Sequence, residues 1–165
     1  VPVLIKHLKN TYVKDMKNLV VVSPDIGGVK NAKSYANILG TELAIVAKQR
    51  ISATEVNAHA VIGDVQGKDV LMVDDMTESG GTLCAAAEVL KQHGAARIFA
   101  AVSHGVLNEK ARTRLASSPI ERLLTSDSVP MAYGEQVDTV SIAPLLAQAI
   151  ANIHHNASVT HLFEV

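Results

Sequence analysis

Val70-Leu71-Met72-Val73-Asp74-Asp75-Met76-Thr77-Glu78-Ser79-Gly80-Gly81-Thr82-Leu83 runs four apolar residues directly into two adjacent carboxylates. A short loop of hydroxyls and glycine follows, and an apolar helical pattern opens at Leu83. The order predicts a buried strand that ends at Asp74-Asp75 and a helix that starts near Gly81-Thr82. A strand leading through a tight loop into a helix is the basic unit of α/β folds, so this stretch sets the fold class.

The same stretch has a chemistry. The first N–H groups of a helix have no partner within it, and with the helix dipole they favour an anion. Gly80 and Gly81 let the backbone come close to a phosphate, and Ser79 and Thr82 add hydroxyl donors. Asp74 and Asp75 suit another part of the ligand, either sugar hydroxyls or a hydrated Mg²⁺. An anion at one end and a diol at the other describe a sugar phosphate. Taken singly, the acids could serve loop solvation or capping, and Gly-Gly a plain turn. Strand, paired acids, hydroxyl-glycine loop and helix in unbroken order favour the ligand.

Outward from this motif, apolar runs alternate with helical patterns. Leu4, Ile5 and Leu8 predict a short leading helix, and Leu19 to Val22 a buried strand closed by Ser23-Pro24-Asp25 and Gly27-Gly28. A helix is expected over Val29 to Leu39 with Gly40 as its stop, then a strand over Leu43 to Ala47. Residues 48–58 turn polar and read as a loop; Ala60 to Ile62 is a further strand before a turn at Gln66-Gly67-Lys68. Gly81 to His93 carries Leu83, Ala86, Ala87 and Leu90 on one helix face. Ile98 to Val102 is a strand, Asn108 to Leu115 a helix, and Leu123-Leu124 and Val137 to Val140 shorter strands. The last helix, Ile142 to His154, stripes Ile142, Leu145, Leu146, Ala149, Ile150 and Ile153 along one side and tolerates Pro144 in its first turn. Alternation of this kind predicts one α/β domain over residues 1–165, a mostly parallel sheet flanked by helices. Ligands in such sheets bind beyond the carboxyl ends of the strands.

The bulk composition agrees. The 165 residues are 48% hydrophobic but only 3% aromatic, with no tryptophan, so aliphatic side chains must fill the core. A formal net charge of -1 and no extended basic run argue against a nucleic-acid surface. No apolar run reaches the length of a membrane span and no signal-peptide pattern opens the chain, so no membrane partner is expected. The single cysteine, Cys84, reads as a small buried hydrophobe and suits a reducing cytoplasm. The chain opens on Val1 rather than methionine, which suggests trimming, processing or a missing upstream part.

Two further elements bear on chemistry. Asp25 in Ser23-Pro24-Asp25-Ile26-Gly27-Gly28 can hold Mg²⁺ directly or through water, or cap the following helix. Lys48 and Arg50 lie one residue apart, so an extended segment points both the same way, over a polyphosphate or simply into solvent. The seven histidines form no ligand pattern; His104-Gly105 either lines the cleft or makes a turn.

Asp74 to Thr82 resembles the 5-phosphoribosyl-1-pyrophosphate loop shared by type I phosphoribosyltransferases and ribose-phosphate pyrophosphokinases. Val21 to Asp25 with Gly27-Gly28, Lys48-x-Arg50, Val61-Ile62-Gly63-Asp64-Val65 and Ser158 to Phe163 resemble the pyrophosphokinases specifically, in their second half. The resemblance implies a type I phosphoribosyltransferase-like fold. It also implies transfer of the diphosphoryl group of Mg-ATP to the anomeric hydroxyl of ribose 5-phosphate, in a cytoplasmic enzyme of nucleotide synthesis. Its site residues would be Asp74 and Asp75 on the ribose hydroxyls; Glu78, Ser79, Gly80, Gly81 and Thr82 around the 5-phosphate; Asp25 near Mg²⁺; and Lys48 and Arg50 as catalytic cations. A full-length protein would be a homo-oligomer. Glu78 stands where the family often has Asp, and Asn31 where it commonly has Arg. The family's first half, with a metal-binding histidine and much of an ATP pocket built between subunits, has no counterpart in this chain. The rival readings are a type I phosphoribosyltransferase, for which no aromatic-bearing hood segment is evident, and a non-catalytic regulatory homologue.

Overall fold

Apolar runs that do not alternate with polar residues can be stable only as strands covered on both faces. The computed structural model of the chain, which describes residues 2–49, 58–130 and 134–164, has that arrangement. Helix α1 (Pro2–Thr11) leads into β1 (Val20–Ser23), α2 (Val29–Leu39), β2 (Glu42–Gln49), β3 (Ala58–Ile62) and β4 (Asp69–Thr77). The chain continues through α3 (Gly81–Gln92), β5 (Arg97–Gly105), α4 (Glu109–Ser117), β6 (Arg122–Ser126), β7 (Val137–Val140) and α5 (Ala143–His154). The strands form a seven-stranded sheet in the order β3-β2-β1-β4-β5-β6-β7. All neighbours are parallel except β2 and β3, an antiparallel pair in which Lys48 lies opposite His59.

Successive residues of each strand face opposite layers, and the core divides accordingly. Val21, Leu71, Val73, Phe99, Ala101 and Leu124 pack under α1 and α2, against Leu4, Ile5, Leu8, Ala32 and Tyr35. Val20, Val22, Val70, Met72, Ile98, Ala100 and Leu123 pack under α3 and α4, against Leu83, Ala87, Leu90, Ala111 and Leu115. Burying each such aliphatic side chain contributes roughly 1.5–3 kcal/mol. Cys84 is buried in the second layer and is a free thiol, which burial pushes to a higher pKa.

Two expectations need correction, and one pattern has an unexpected setting. The central strand does not stop at Asp74-Asp75: β4 continues to Thr77, because Met76 and Thr77 remain in register with His104 and Gly105 of an equally long β5. The polar segment after Ala47 begins as strand rather than loop, since β2 runs on to Gln49 against β3; residues 50–57 lie outside the described residues. The apolar stripe of α5 is not buried. No residue of α5 is in the core, and Leu146, Ile150 and Ile153 are 51%, 69% and 66% exposed. The helix follows β7, an edge strand with no fully buried residue, and so has no further strand pair to lie over.

These differences in packing have an energetic signature. Leu71→Ala, which empties a fully buried position in the central strand, is expected to cost about 2–5 kcal/mol in a urea titration. Ile150→Ala on the exposed face of α5 is expected to cost less than about 0.5 kcal/mol. A larger loss at Ile150 in the isolated chain would mean that α5 is seated on a surface.

Candidate functional site at the β1 and β4 strand ends

The order of connection reverses at β1: β1 connects outward to β2 on one side, while β4 on its other side leads toward β5, β6 and β7. The connecting helices α2 and α3 therefore cover opposite faces, and the loops after β1 and β4 part at the carboxyl edge. Open α/β sheets have their ligand crevice at this switch point.

The two loops bring the predicted acids together. Asp25 follows β1, and its Oδ1 accepts the Gly28 N–H at 2.9 Å. Gly28 is required by close approach: a Cβ there would stand 2.8 Å from Ser23 Oγ and also within contact of the Asp74 and Asp25 carboxylates. Across the gap, Asp74 and Asp75 lie toward the end of β4, just ahead of Met76 and Thr77. Asp74 Oδ1 accepts the Asp75 N–H at 2.9 Å, and Asp75 Oδ1 accepts the Met76 N–H at 2.7 Å. Asp25, Asp74 and Asp75 line an open cleft of about 320 Å³, together with Gly27, Gly28 and Asn31. Asn31 thus faces the acids from the first turn of α2.

Asp74 carries the electrostatic strain of this cluster. Burial is the largest cause that pushes its carboxyl up to about 6, and the negative charges of Asp75 and Asp25 add to it, while the Asp75 N–H opposes the shift. The acid is half-buried, at the floor between the two loops.

Beyond Asp74 the chain enters the glycine loop, which encloses a second, smaller cleft of about 130 Å³ lined by residues 76–83 and again by Asp74. Gly80 sits at φ +67°, a left-handed conformation that turns the backbone into α3 and that side chains resist. The Gly81 N–H reaches only a long 3.4 Å bond to Ser79 Oγ. Among the described residues, the N–H groups of Ser79, Gly80, Thr82 and Leu83 have no acceptor. Glu78, Ser79 and Thr82 are exposed around them.

The carbonyls of the loop, by contrast, are occupied. Thr77 O accepts the Val106 N–H at 2.9 Å, and Glu78 O accepts the Asn108 N–H at 3.2 Å. Ser79 O accepts Arg114 Nη1 at 2.9 Å. Sequence reasoning did not find this part of the site, because the contacts lie up to 35 residues downstream of the loop. The one readable trace was Asn108 before a helix, where its side chain does cap α4 by accepting the Ala111 N–H at 3.0 Å. His104, at the end of β5, pairs with Ser128 through Nδ1 at 2.7 Å. The backbone of Lys48 lies at the same carboxyl edge, in the part of β2 that extends past β1; its side chain and Arg50 lie outside the described residues. A larger cleft of 450 Å³ between α1, α5 and the C-terminal turn shares no residue with this site.

The sheet order, the switch-point crevice and the acid-amide loop define a type I phosphoribosyltransferase-like fold. The chain belongs to the family described as the phosphoribosyl synthetase-associated domain, which matches residues 50–164. It is 43% identical over 164 residues to the ribose-phosphate pyrophosphokinase of Chlorobaculum tepidum, covering 98% of this chain and 50% of that protein. It is 45% identical over 168 residues to that of Corynebacterium efficiens, covering 99% and 51%. The crystal structure of phosphoribosylpyrophosphate synthetase from Mycobacterium smegmatis superposes with a TM-score of 0.84 at 34% identity, over 93% of this chain and 50% of that one. Orotate phosphoribosyltransferase from Aeropyrum pernix shares the fold at a TM-score of 0.58 and 20% identity, over 91% of this chain and 75% of its own. The chain spans about half the length of the curated relatives it matches.

The raised Asp74 pKa has a measurable consequence. Between the ordinary value of 3.8 and about 6 the folded chain holds a proton that the unfolded chain releases. Stability therefore falls as pH rises through that window, and the charge penalty is complete above it. Asp74→Asn keeps the acceptor for the Asp75 N–H and removes the charge. It is expected to raise the unfolding temperature at pH 7.5 by up to about 3 °C, a figure reduced for solvent screening, and to change it little at pH 4. An equal shift at both pH values would separate the gain from ionisation.

Proposed function

We propose that this chain is the ribose 5-phosphate-binding half of a ribose-phosphate pyrophosphokinase, the second of two units in a longer protein. The observation that carries the reading is Asp74, which lines both the acidic cleft and the amide-lined pocket. One ligand with a diol next to a phosphomonoester fits across that shared wall. The 43% identity to pyrophosphokinases along nearly the whole chain supports the same reading, and the closer superposition with a synthetase than with a transferase favours it over a phosphoribosyltransferase.

In this reading the free amides of the loop, with Ser79 and Thr82, donate to the 5-phosphate. Glu78, Gly80 and Gly81 shape the same loop. Asp74 and Asp75 accept hydrogen bonds from the ribose hydroxyls, which places the anomeric oxygen in the open cleft. That oxygen attacks the β-phosphorus of ATP; the bond from this phosphorus to the α-phosphate bridging oxygen breaks, and AMP leaves. Lys48 and Arg50 are assigned the role of stabilising charge on the transferring group, in a reaction governed by alignment and electrostatics.

The donor set fits Mg²⁺. Carboxylate oxygens are its preferred protein ligands, and a cation offsets the burial and the like-charge repulsion that push the Asp74 pKa up. Among the described residues no three His, Cys, Asp or Glu side chains converge on one metal position. Mg²⁺ often takes one or two carboxylates and completes its shell with water and phosphate oxygens, which leaves Asp25 as its protein ligand here. When bound, the ion neutralises charge on the polyphosphate. No helix among the described residues is long and apolar enough to cross a membrane, and the proposed setting is the cytoplasm. ATP is the co-substrate, and the full-length protein is proposed to be a homo-oligomer, with no nucleic-acid or membrane partner.

The deciding assay is AMP release from ATP and ribose 5-phosphate, run on this chain and on a protein that also carries a pyrophosphokinase first half. Turnover confined to the longer protein is the expected result. Ribose 5-phosphate binding without turnover in either would instead assign a regulatory role, to which Asn31 in the acidic cleft would contribute. In the longer protein, Lys48→Ala is expected to lower kcat by about 10²-fold or more, the scale for losing one transition-state charge contact. Asp75→Ala is expected mainly to weaken ribose 5-phosphate binding, measured by calorimetry; unaltered affinity would remove Asp75 from the site.

A further inference from the structure

We infer that Arg114 is a positioning residue for the glycine loop: by holding the Ser79 carbonyl from behind, it keeps the loop amides turned toward the cleft. The inference rests on the reading of that loop as a phosphate cradle but concerns a residue that contacts no ligand there.

The geometry is specific. A peptide unit is planar, with its C=O and N–H pointing in roughly opposite directions. Fixing a carbonyl on one side of a loop therefore presents the next residue's amide on the other. The carbonyls of Thr77, Glu78 and Ser79 are fixed in succession, by the Val106 N–H, the Asn108 N–H and Arg114 Nη1. The amides they present belong to Glu78, Ser79 and Gly80, and those of Ser79 and Gly80 are without acceptors among the described residues.

Arg114 differs from the other two in kind. Val106 and Asn108 act through backbone and are available whatever their side chains. Arg114 reaches back from the body of α4 with a charged donor, and its hydrogen bond is of the stronger, charge-assisted type. It also braces the turn itself. A Cβ at Gly81 would lie 3.4 Å from Arg114 Nη1, and one at Gly80 would lie 3.6 Å from Ala111, so the loop rests against α4 along one line. No other side chain donates to a carbonyl of the loop among the described residues. Without the guanidinium, the Ser79–Gly80 peptide can rotate, and the positive φ of Gly80 does not oppose rotation as a larger residue would. A loop that must be ordered by its ligand binds it more weakly than one already in place.

The test compares wild type, Arg114→Met and Arg114→Lys in the 165-residue chain. Three readouts are followed: affinity for ribose 5-phosphate and for inorganic phosphate, the unfolding midpoint, and the ¹⁵N–¹H amide signals of residues 78–83. Arg114→Met is expected to weaken both ligands about tenfold, the scale of one charge-assisted hydrogen bond. It is expected to displace and accelerate exchange of the Ser79 and Gly80 amides while leaving the unfolding midpoint near wild type, because Arg114 is exposed. Arg114→Lys, which keeps a donor and a charge, is expected to restore part of the affinity. Unchanged affinity and unchanged loop amides in Arg114→Met would overturn the inference, as would a loss that follows a general fall in stability. If wild type binds neither ligand, the proposed function fails, and the loop amides still decide the role of Arg114.

Discussion

The parallel pairing of β1 with β4, with Val20, Val21 and Val22 opposite Val70, Leu71 and Met72, is the contact on which the rest of the molecule depends. It joins strands separated by α2, β2 and β3, so the closure must be repaid by burial on both faces. Val21 and Leu71 look toward α1 and α2, and Val20 and Met72 toward α3 and α4, and each of the four is almost wholly buried. Once the pair forms, the strands adjoin with their outgoing loops on opposite sides. The crevice between the loops is thus a result of topology before any polar residue is considered.

That crevice holds two kinds of backbone chemistry at once. On the β1 side and at the end of β4, peptide N–H groups are consumed by carboxylates: Gly28 by Asp25, Asp75 by Asp74, and Met76 by Asp75. A few residues later the pattern inverts, with carbonyls consumed and amides left free. The first arrangement concentrates negative charge and the second offers positive dipoles, within reach of a single small molecule. The cost falls on Asp74, whose burial beside two like charges lifts its pKa to about 6. The group stays mostly ionised at neutral pH and available to hydroxyl donors or a cation, either of which relieves the repulsion.

How much of this could be read from the chain follows the range of the interaction. Helix α2 ends where Gly40 was expected to stop it, with φ +66°, because a glycine cap is a local signal. The two-faced burial of Leu71 and Val70 was legible because an unbroken apolar run admits few other uses. The end of β4 is not legible locally: polar Asp74 and Asp75 look like a strand terminus, and only the length of β5 lets Met76 and Thr77 pair. The stripe of α5 has the periodicity of a core helix, and no local rule states whether a strand lies beneath it. Among the predicted site residues, Asp25, Asp74, Asp75 and the 78–82 loop do meet at one crevice. Arg114 was invisible, as a lone arginine in a polar helix carries no pattern that points to a carbonyl 35 residues away.

The division between what binds and what positions has a physical basis. A helix N-terminus alone gives an anion only the weak attraction of a dipole that salt and solvent screen. Here the turn into α3 is set by Gly80, and the preceding peptides are held against α4 through Val106, Asn108 and Arg114. Each bond on the far side of the loop removes a competing orientation of the amides on the near side, so ordering is completed during folding rather than during binding. Loop glycines can then be retained for close approach without leaving the loop slack. The loop sequence sets which groups face the ligand, while residues 106–114 set how firmly they face it.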